Sequence, residues 1–217
     1  MLNILGLQLR NLETHRDNRG ELTEIFRNSW VGDVPVQWNL VQSAPGVLRG
    51  VHGHFRHSDY LLVLGGVASI GLNDVRPGSK TQGRSDLILM EGERPQVLTI
   101  PPGVAHGFYF HSTCTTIYSV THYWDTDDEL GCMWNDSALG LAWPCEAPLI
   151  SERDARLPSY AVFCEQMKRK LTEPVNSPAG QISQLRDALG NKSPFPGAAA
   201  GGRTALQMLN EHTQLAP

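Results

Sequence analysis

Tyr60-Leu61-Leu62-Val63-Leu64-Gly65-Gly66-Val67-Ala68-Ser69-Ile70-Gly71-Leu72 reads as two short apolar runs on either side of a glycine pair. Each run is too short for an ordinary helix and has the length of a buried strand, and Gly65-Gly66 can close a tight hairpin between them. Working outward, further strands are predicted at Glu21–Phe26, Val36–Gln42, Asp86–Met90, Gln96–Ile100, His106–Phe110 and Thr115–Tyr123. Arg76-Pro77-Gly78 and Pro101-Pro102-Gly103 mark loops. Many short strands at this spacing fit a mainly β, antiparallel sandwich or barrel.

The pattern changes after Trp143-Pro144, where Ser159 caps a predicted helix over Tyr160–Leu171 that ends in Lys168-Arg169-Lys170. From Thr172 to Pro217 the chain is rich in Pro, Gly and Ala, as in Pro194-Phe195-Pro196-Gly197-Ala198-Ala199-Ala200-Gly201-Gly202. This composition predicts a flexible tail with two weak helices, Gln181–Leu189 and Thr204–Glu211. The expected division is therefore a folded domain over residues 1–171 and a low-complexity tail over 172–217.

With 18 Lys and Arg against 22 Asp and Glu in 217 residues, the net charge of −4 offers no broad cationic field for nucleic acid or anionic lipid. No apolar run approaches the roughly 20 residues that span a bilayer, and no basic-then-apolar leader is read at the start. A cytoplasmic protein is expected. Cys114, Cys132, Cys145 and Cys164 lack the C-x-x-C spacing of zinc or dithiol chemistry and are expected to be reduced.

His52, His54 and His57 fall close together, and His106 follows a Pro-Gly turn. On a strand, His52 and His54 would share one face, because side chains alternate. Such a pair can be metal ligands, a base with its neighbour, or filler in a polar cleft, with Arg49, Asp59 and Tyr118 on neighbouring predicted strands. Asp154 reads as a solvated loop carboxylate and Tyr118 as a packed strand tyrosine. Composition and spacing thus reach a β-domain with a histidine-rich cleft.

The ordered segments Asp17-Asn18-Arg19-Gly20, Gln37-Trp38-Asn39, Val47-Leu48-Arg49-Gly50-Val51-His52, Ala105-His106-Gly107-Phe108, Trp134-Asn135-Asp136 and Ser151-Glu152-Arg153-Asp154 resemble the dTDP-4-dehydrorhamnose 3,5-epimerase family over about residues 3–165. These are dimeric cupin-fold sugar-nucleotide enzymes. The resemblance implies a double-stranded β-helix, or jelly-roll barrel, whose cleft holds a nucleotide-linked 4-keto-6-deoxyhexose in deoxysugar biosynthesis. It implies His52 as the base that removes the proton beside the ketone, Asp154 as the carboxylate that orients it, and Tyr118 as the acid on the opposite face. Arg49 and Arg153 are implied phosphate ligands. Arg19, Glu24, Gln37, Asn39 and Glu129 are implied to bind or shape the nucleotide pocket, and His106 to help polarise the substrate. In this version no cofactor is required.

The sequence departs from the family where a lysine steadies the enolate oxygen: the preceding loop is short and Asp59 stands in the lysine's place. A reversed charge near an oxyanion is worth roughly 4 kcal/mol at about 4 Å. Trp124 replaces an aromatic hydroxyl and Leu22 an aromatic ring. The departure also gives a second reading, a metal-dependent cupin enzyme in which His52, His54, Asp59 and His106 hold one divalent transition metal. The two conflict at His52, since a metal-bound nitrogen cannot be the free base. The nucleotide motifs, Asp154 and Tyr118 favour the metal-free version. A third reading keeps the cleft for binding a sugar nucleotide without turnover, in which an acid and a base on opposite faces would have no purpose.

Overall fold

The computed structural model describes residues 2–172; of the predicted tail only Thr172, the last residue of a helix, is among them, and the two helices predicted in the tail lie outside the described residues. In chain order the strands are β1 (Gln8–Asn11), β2 (Thr14–Asp17), β3 (Gly20–Thr23), β4 (Gln37–Ser43), β5 (Leu48–Gly53), β6 (Asp59–Gly65), β7 (Val67–Asp74), β8 (Ser85–Glu91), β9 (Gln96–Ile100), β10 (Val104–Phe110), β11 (Cys114–Val120) and β12 (Leu130–Gly131). Helix α1 (Tyr160–Thr172) follows, close to its predicted bounds, with Arg169 and Lys170 in its last turn. Two five-stranded sheets, ordered β1-β9-β6-β11-β4 and β12-β5-β10-β7-β8, face each other, and β2 and β3 form a separate ribbon. Every named pairing is antiparallel. Among the described residues no helix is long and apolar enough to cross a membrane.

The glycine pair that suggested a hairpin turns a corner instead. Strand β6 pairs with β9 and β11, whereas β7 pairs with β8 and β10, so Gly65-Gly66 carries the chain from one sheet to the other. Gly66 has φ +82°, and a Cβ there would stand 2.3 Å from the Thr113 carbonyl oxygen. A corner and a hairpin make the same local demand on the backbone, namely positive φ without a side chain. Which one forms depends on the strands' other neighbours.

Between the sheets lie Leu61 and Val63 of β6, Ile70 and Leu72 of β7, Leu98 and Ile100 of β9, and Phe110 of β10. Tyr60 and Leu62, the alternate residues of β6, are buried on its outer face with Val97, beneath Ile25, Phe26 and Val31. That covering explains why the strand predicted over 21–26 stops at Thr23. Helix α1 seals the other sheet, burying Phe163 and Met167 against Val51, Ala105, Cys132 and Leu139.

Strand β5, which carries Arg49 and His52, has no bounds of its own among the predicted ranges, because Arg49 and Gly50 interrupt its apolar pattern. Gly50 (φ +106°) lies against β10, where a Cβ would meet the His106 carbonyl oxygen at 2.8 Å. The β5–β10 register shifts between His106 and Phe108, a bulge at the rows that carry His52 and His106.

Candidate active site

A cavity of about 560 Å³ opens between the sheets. One wall is β5 and β10, which supply Arg49, His52 and His106; the other is β4, β6 and β11, which supply Gln37, Asn39, Asp59 and Tyr118. Strand β4 shows why a cavity forms here. Its inward positions hold Gln37 and Asn39, which water or a ligand can solvate, while Trp38 and Leu40 face out and are exposed. Gln37 Nε2 donates to Asn39 Oδ1 (3.2 Å), and Gln37 Oε1 accepts from the Trp124 N–H (3.0 Å).

His52 Nε2 donates to Asp154 Oδ1 at 2.7 Å. Asp154 opens a short 3-10 turn, Asp154–Arg156, and is buried, contrary to its reading as a solvated loop carboxylate. Its other oxygen accepts from the Gly50 N–H at 3.4 Å. Burial pushes the Asp154 carboxyl up, but the His52 hydrogen bond and charge and the Gly50 and Ser151 donors outweigh it and hold it below its usual range. The carboxylate therefore stays ionised and fixes the imidazole's tautomer.

Glu129, which the resemblance implied to bind or shape the nucleotide pocket, lines the cavity and stands beside His52, a contact that the sequence did not indicate. Its Oε1 stands 3.3 Å from His52 Nδ1 and accepts from Arg153 Nη2 at 2.6 Å, while its Oε2 accepts from Trp124 Nε1. His52 is thus flanked by carboxylates at both nitrogens. Desolvation raises the Glu129 carboxyl, yet the charges of His52 and Arg153 and the Arg153 and Trp124 hydrogen bonds keep it below its ordinary value. Within the acidic stretch Asp125–Glu129 no spacing singled it out for this role.

Tyr118 faces the same cavity from the opposite sheet. Burial, then the charges of Glu129 and Asp59, push its phenol up, so it holds its proton at neutral pH. Arg49 also lines the cavity, with Nε donating to Ser43 Oγ at 3.1 Å. Arg19 and Glu24 do not line it. Arg19, on the β2–β3 turn, pairs with Asp17 at 3.1 Å, Glu24 pairs with Arg27, and Leu22 is exposed on the same ribbon.

The second reading's ligand set needs correction. His52 is turned to Asp154 and Glu129, and His57 takes its place beside Asp59. The reason is that β5 ends at Gly53, so strand alternation does not govern residues 54–58. Instead the buried Asp128 organises that loop: Oδ1 accepts from the Phe55 and Arg56 N–H groups at 2.7 and 3.2 Å, and Oδ2 accepts from His57 Nδ1 at 2.7 Å. Arg56 pairs with Asp125 and leaves Asp59 to the histidines. Asp59 Oδ2 lies 3.8 Å from His57 Nε2, 3.8 Å from His106 Nε2 and 4.0 Å from His54 Nε2. Burial raises the Asp59 carboxyl and lowers the His54 and His106 imidazoles.

Two facing antiparallel sheets enclosing an acid–base cavity define a jelly-roll enzyme of the cupin type, with a histidine–carboxylate pair on one wall and a phenol on the other. The chain belongs to the dTDP-4-dehydrorhamnose 3,5-epimerase family, whose profile matches residues 1–161. It is 33% identical over 148 residues to the spore coat polysaccharide biosynthesis protein SpsL of Bacillus subtilis, a match covering 65% of this chain and 97% of that one. Among solved structures, the Legionella pneumophila dTDP-6-deoxy-D-glucose-3,5-epimerase RmlC in complex with dTDP-4-keto-L-rhamnose is 28% identical, with a TM-score of 0.72 over 77% of this chain and 94% of that one. ChmJ, a 3'-monoepimerase from Streptomyces bikiniensis in complex with dTDP-quinovose, is also 28% identical, with a TM-score of 0.71 over 87% and 98% of the two chains.

Proposed function

We propose that this chain epimerises a nucleotide-linked 4-keto-6-deoxyhexose of the dTDP-sugar type, inverting a carbon beside the ketone. The observation that carries the reading is the His52–Asp154 pair and Tyr118 on opposite walls of one cavity. Inversion through a planar enolate requires a base on one face and an acid on the other. His52 Nδ1 takes the proton from the carbon next to the ketone; the resulting imidazolium has Asp154 at one nitrogen and Glu129 at the other. Tyr118 returns a proton to the far face. Arg49, and Arg153 once released from Glu129, supply guanidinium forks for the diphosphate, and Gln37 and Asn39 supply polar contacts for the nucleotide.

We also infer a homodimer acting in the cytoplasm. Strand β4 is a sheet edge that turns Trp38 and Leu40 outward, a surface suited to a second copy, and the cysteines are free thiols. The test of the activity is incubation of dTDP-4-keto-6-deoxyglucose with the protein in deuterated water. Deuterium is expected beside the ketone, together with a change in sugar configuration by NMR; no incorporation above the buffer rate would overturn the proposal.

A further inference from the structure

We propose that His54, His57 and Asp59, with His106 as fourth ligand, form a binding site for one divalent transition metal ion in the cavity, separate from the His52–Asp154 pair. The geometry converges on a point. The candidate ligand atoms of His54, His57 and Asp59 lie within 4.8 Å of one another, and all three residues are buried. The three Nε2 atoms stand 3.8 to 4.0 Å from Asp59 Oδ2, too far for hydrogen bonds, which run to about 3.2 Å. Metal–nitrogen and metal–oxygen bonds of about 2.0–2.2 Å place neighbouring ligand atoms of a tetrahedral site about 3.3–3.6 Å apart, so each Nε2 is within a few tenths of an ångström of its required distance from Asp59, while His106, outside the 4.8 Å group, has further to move toward the other two imidazoles.

The imidazoles are set for this role by their other nitrogens. His57 Nδ1 donates to Asp128 at 2.7 Å, His106 Nδ1 to the Val104 carbonyl at 3.2 Å, and His54 Nδ1 faces the Asp128 carbonyl at 3.4 Å. With the protons held on Nδ1, each Nε2 presents its lone pair toward Asp59. His57 is only 2% exposed, and its buried Nε2 has no hydrogen-bond partner. A cation bound among these atoms would satisfy the buried Asp59 carboxylate and the partnerless His57 Nε2 together. Three imidazoles and one carboxylate suit the ions from Fe²⁺ to Zn²⁺.

This assignment removes the conflict at His52, because base and metal use different side chains, and it departs from the cofactor-free expectation. The ion's chemical role rests on the proposed epimerase reading. The ketone oxygen joins the ion as a further ligand and the adjacent C–H bond breaks, its proton passing to His52. Its electron pair forms the enolate double bond, and the charge on oxygen is held by the metal where the family's lysine would stand. Nothing is oxidised or reduced.

The test uses the full, untagged chain stripped by a chelator and titrated with Zn²⁺ by calorimetry and with Co²⁺ by visible absorption. One ion per chain is expected, with d–d bands of imidazole-bound Co²⁺. His57→Gln and Asp59→Asn should each weaken binding by at least about 100-fold, while His52→Asn should keep wild-type affinity within about threefold and lose deuterium wash-in. Circular dichroism verifies folding, and if His57→Gln is unfolded, Asp59→Asn and His106→Gln decide. The metal site is overturned by no stoichiometric binding, by binding that survives Asp59→Asn, or by binding lost in His52→Asn. Failure of the epimerase reading looks different: metal-replete wild-type protein binds the ion and exchanges no deuterium.

Discussion

Replacing Asp154 by Asn removes one negative charge from the base pair while keeping its shape. The carboxylate oxygen is 2.7 Å from His52 Nε2, which puts the two charge centres about 4 Å apart once the imidazolium has formed. At an effective dielectric near 20 their attraction is about 4 kcal/mol. Glu129 remains at the other nitrogen, 3.3 Å away, and offsets part of the loss. A net cost of about 2–4 kcal/mol corresponds to roughly a 30- to 1000-fold slower proton abstraction. The assay is initial-rate deuterium wash-in at saturating sugar nucleotide, followed by NMR, with circular dichroism to verify the fold because Asp154 is buried and also accepts from Gly50. The double variant Asp154→Asn/Glu129→Gln should be slower again. Wash-in by the Asp154→Asn protein within about threefold of wild type would show that His52 is not the base, or that Asp154 does not support it.

Tyr118→Phe should uncouple the two half-reactions: wash-in persists within about tenfold while net inversion falls by at least about 100-fold, read as the ratio of exchanged substrate to inverted product. Gly66→Ala should destabilise the fold by about 3 kcal/mol in urea unfolding, because the positive φ is strained and the new methyl meets the Thr113 carbonyl oxygen. Asp74 is fully buried; desolvation raises its carboxyl, but hydrogen bonds from Arg76, Thr81 and Ser79 bring it down from 3.8 to about 2. A carboxyl lowered in the folded state stabilises the protein above its unfolded pKa and loses that contribution as pH falls through the folded one. Unfolding free energy should therefore drop by about 2 kcal/mol between about pH 5 and pH 2, and Asp74→Asn should flatten that part of the profile.

Local chemistry was legible where neighbours in sequence are neighbours in space. The buried runs of β6 and β7, the helix at residues 160–172 and the Asp17–Gly20 turn follow from periodicity, propensity and turn residues, which act over a few positions. The bounds of β5 are not legible in its apolar pattern because its glycine and arginine serve the site: Gly50 lets β10 approach, and Arg49 faces the cavity. The resemblance implied Arg19 and Glu24 for the nucleotide pocket, yet Arg19 sits on the turn of the β2–β3 ribbon and Glu24 just beyond its end, and neither lines the cavity.

By itself the sequence determined a mainly β domain closed by one helix, and its ordered motifs determined the family. The resemblance implied that His52 meets Asp154; only the tertiary structure decided that Gly65-Gly66 joins two sheets, that Glu129 stands at the other nitrogen of His52 and that His57 meets Asp128. His52 finds Asp154 across 102 positions of chain, and His57 finds Asp128 across 71. Spacing along a strand constrains the face a side chain shares with its neighbours. It carries no information about the carboxylate that another segment brings to that face, because that pairing is set by sheet order, by the loop that Asp128 gathers and by the burial that makes an unmatched charge costly.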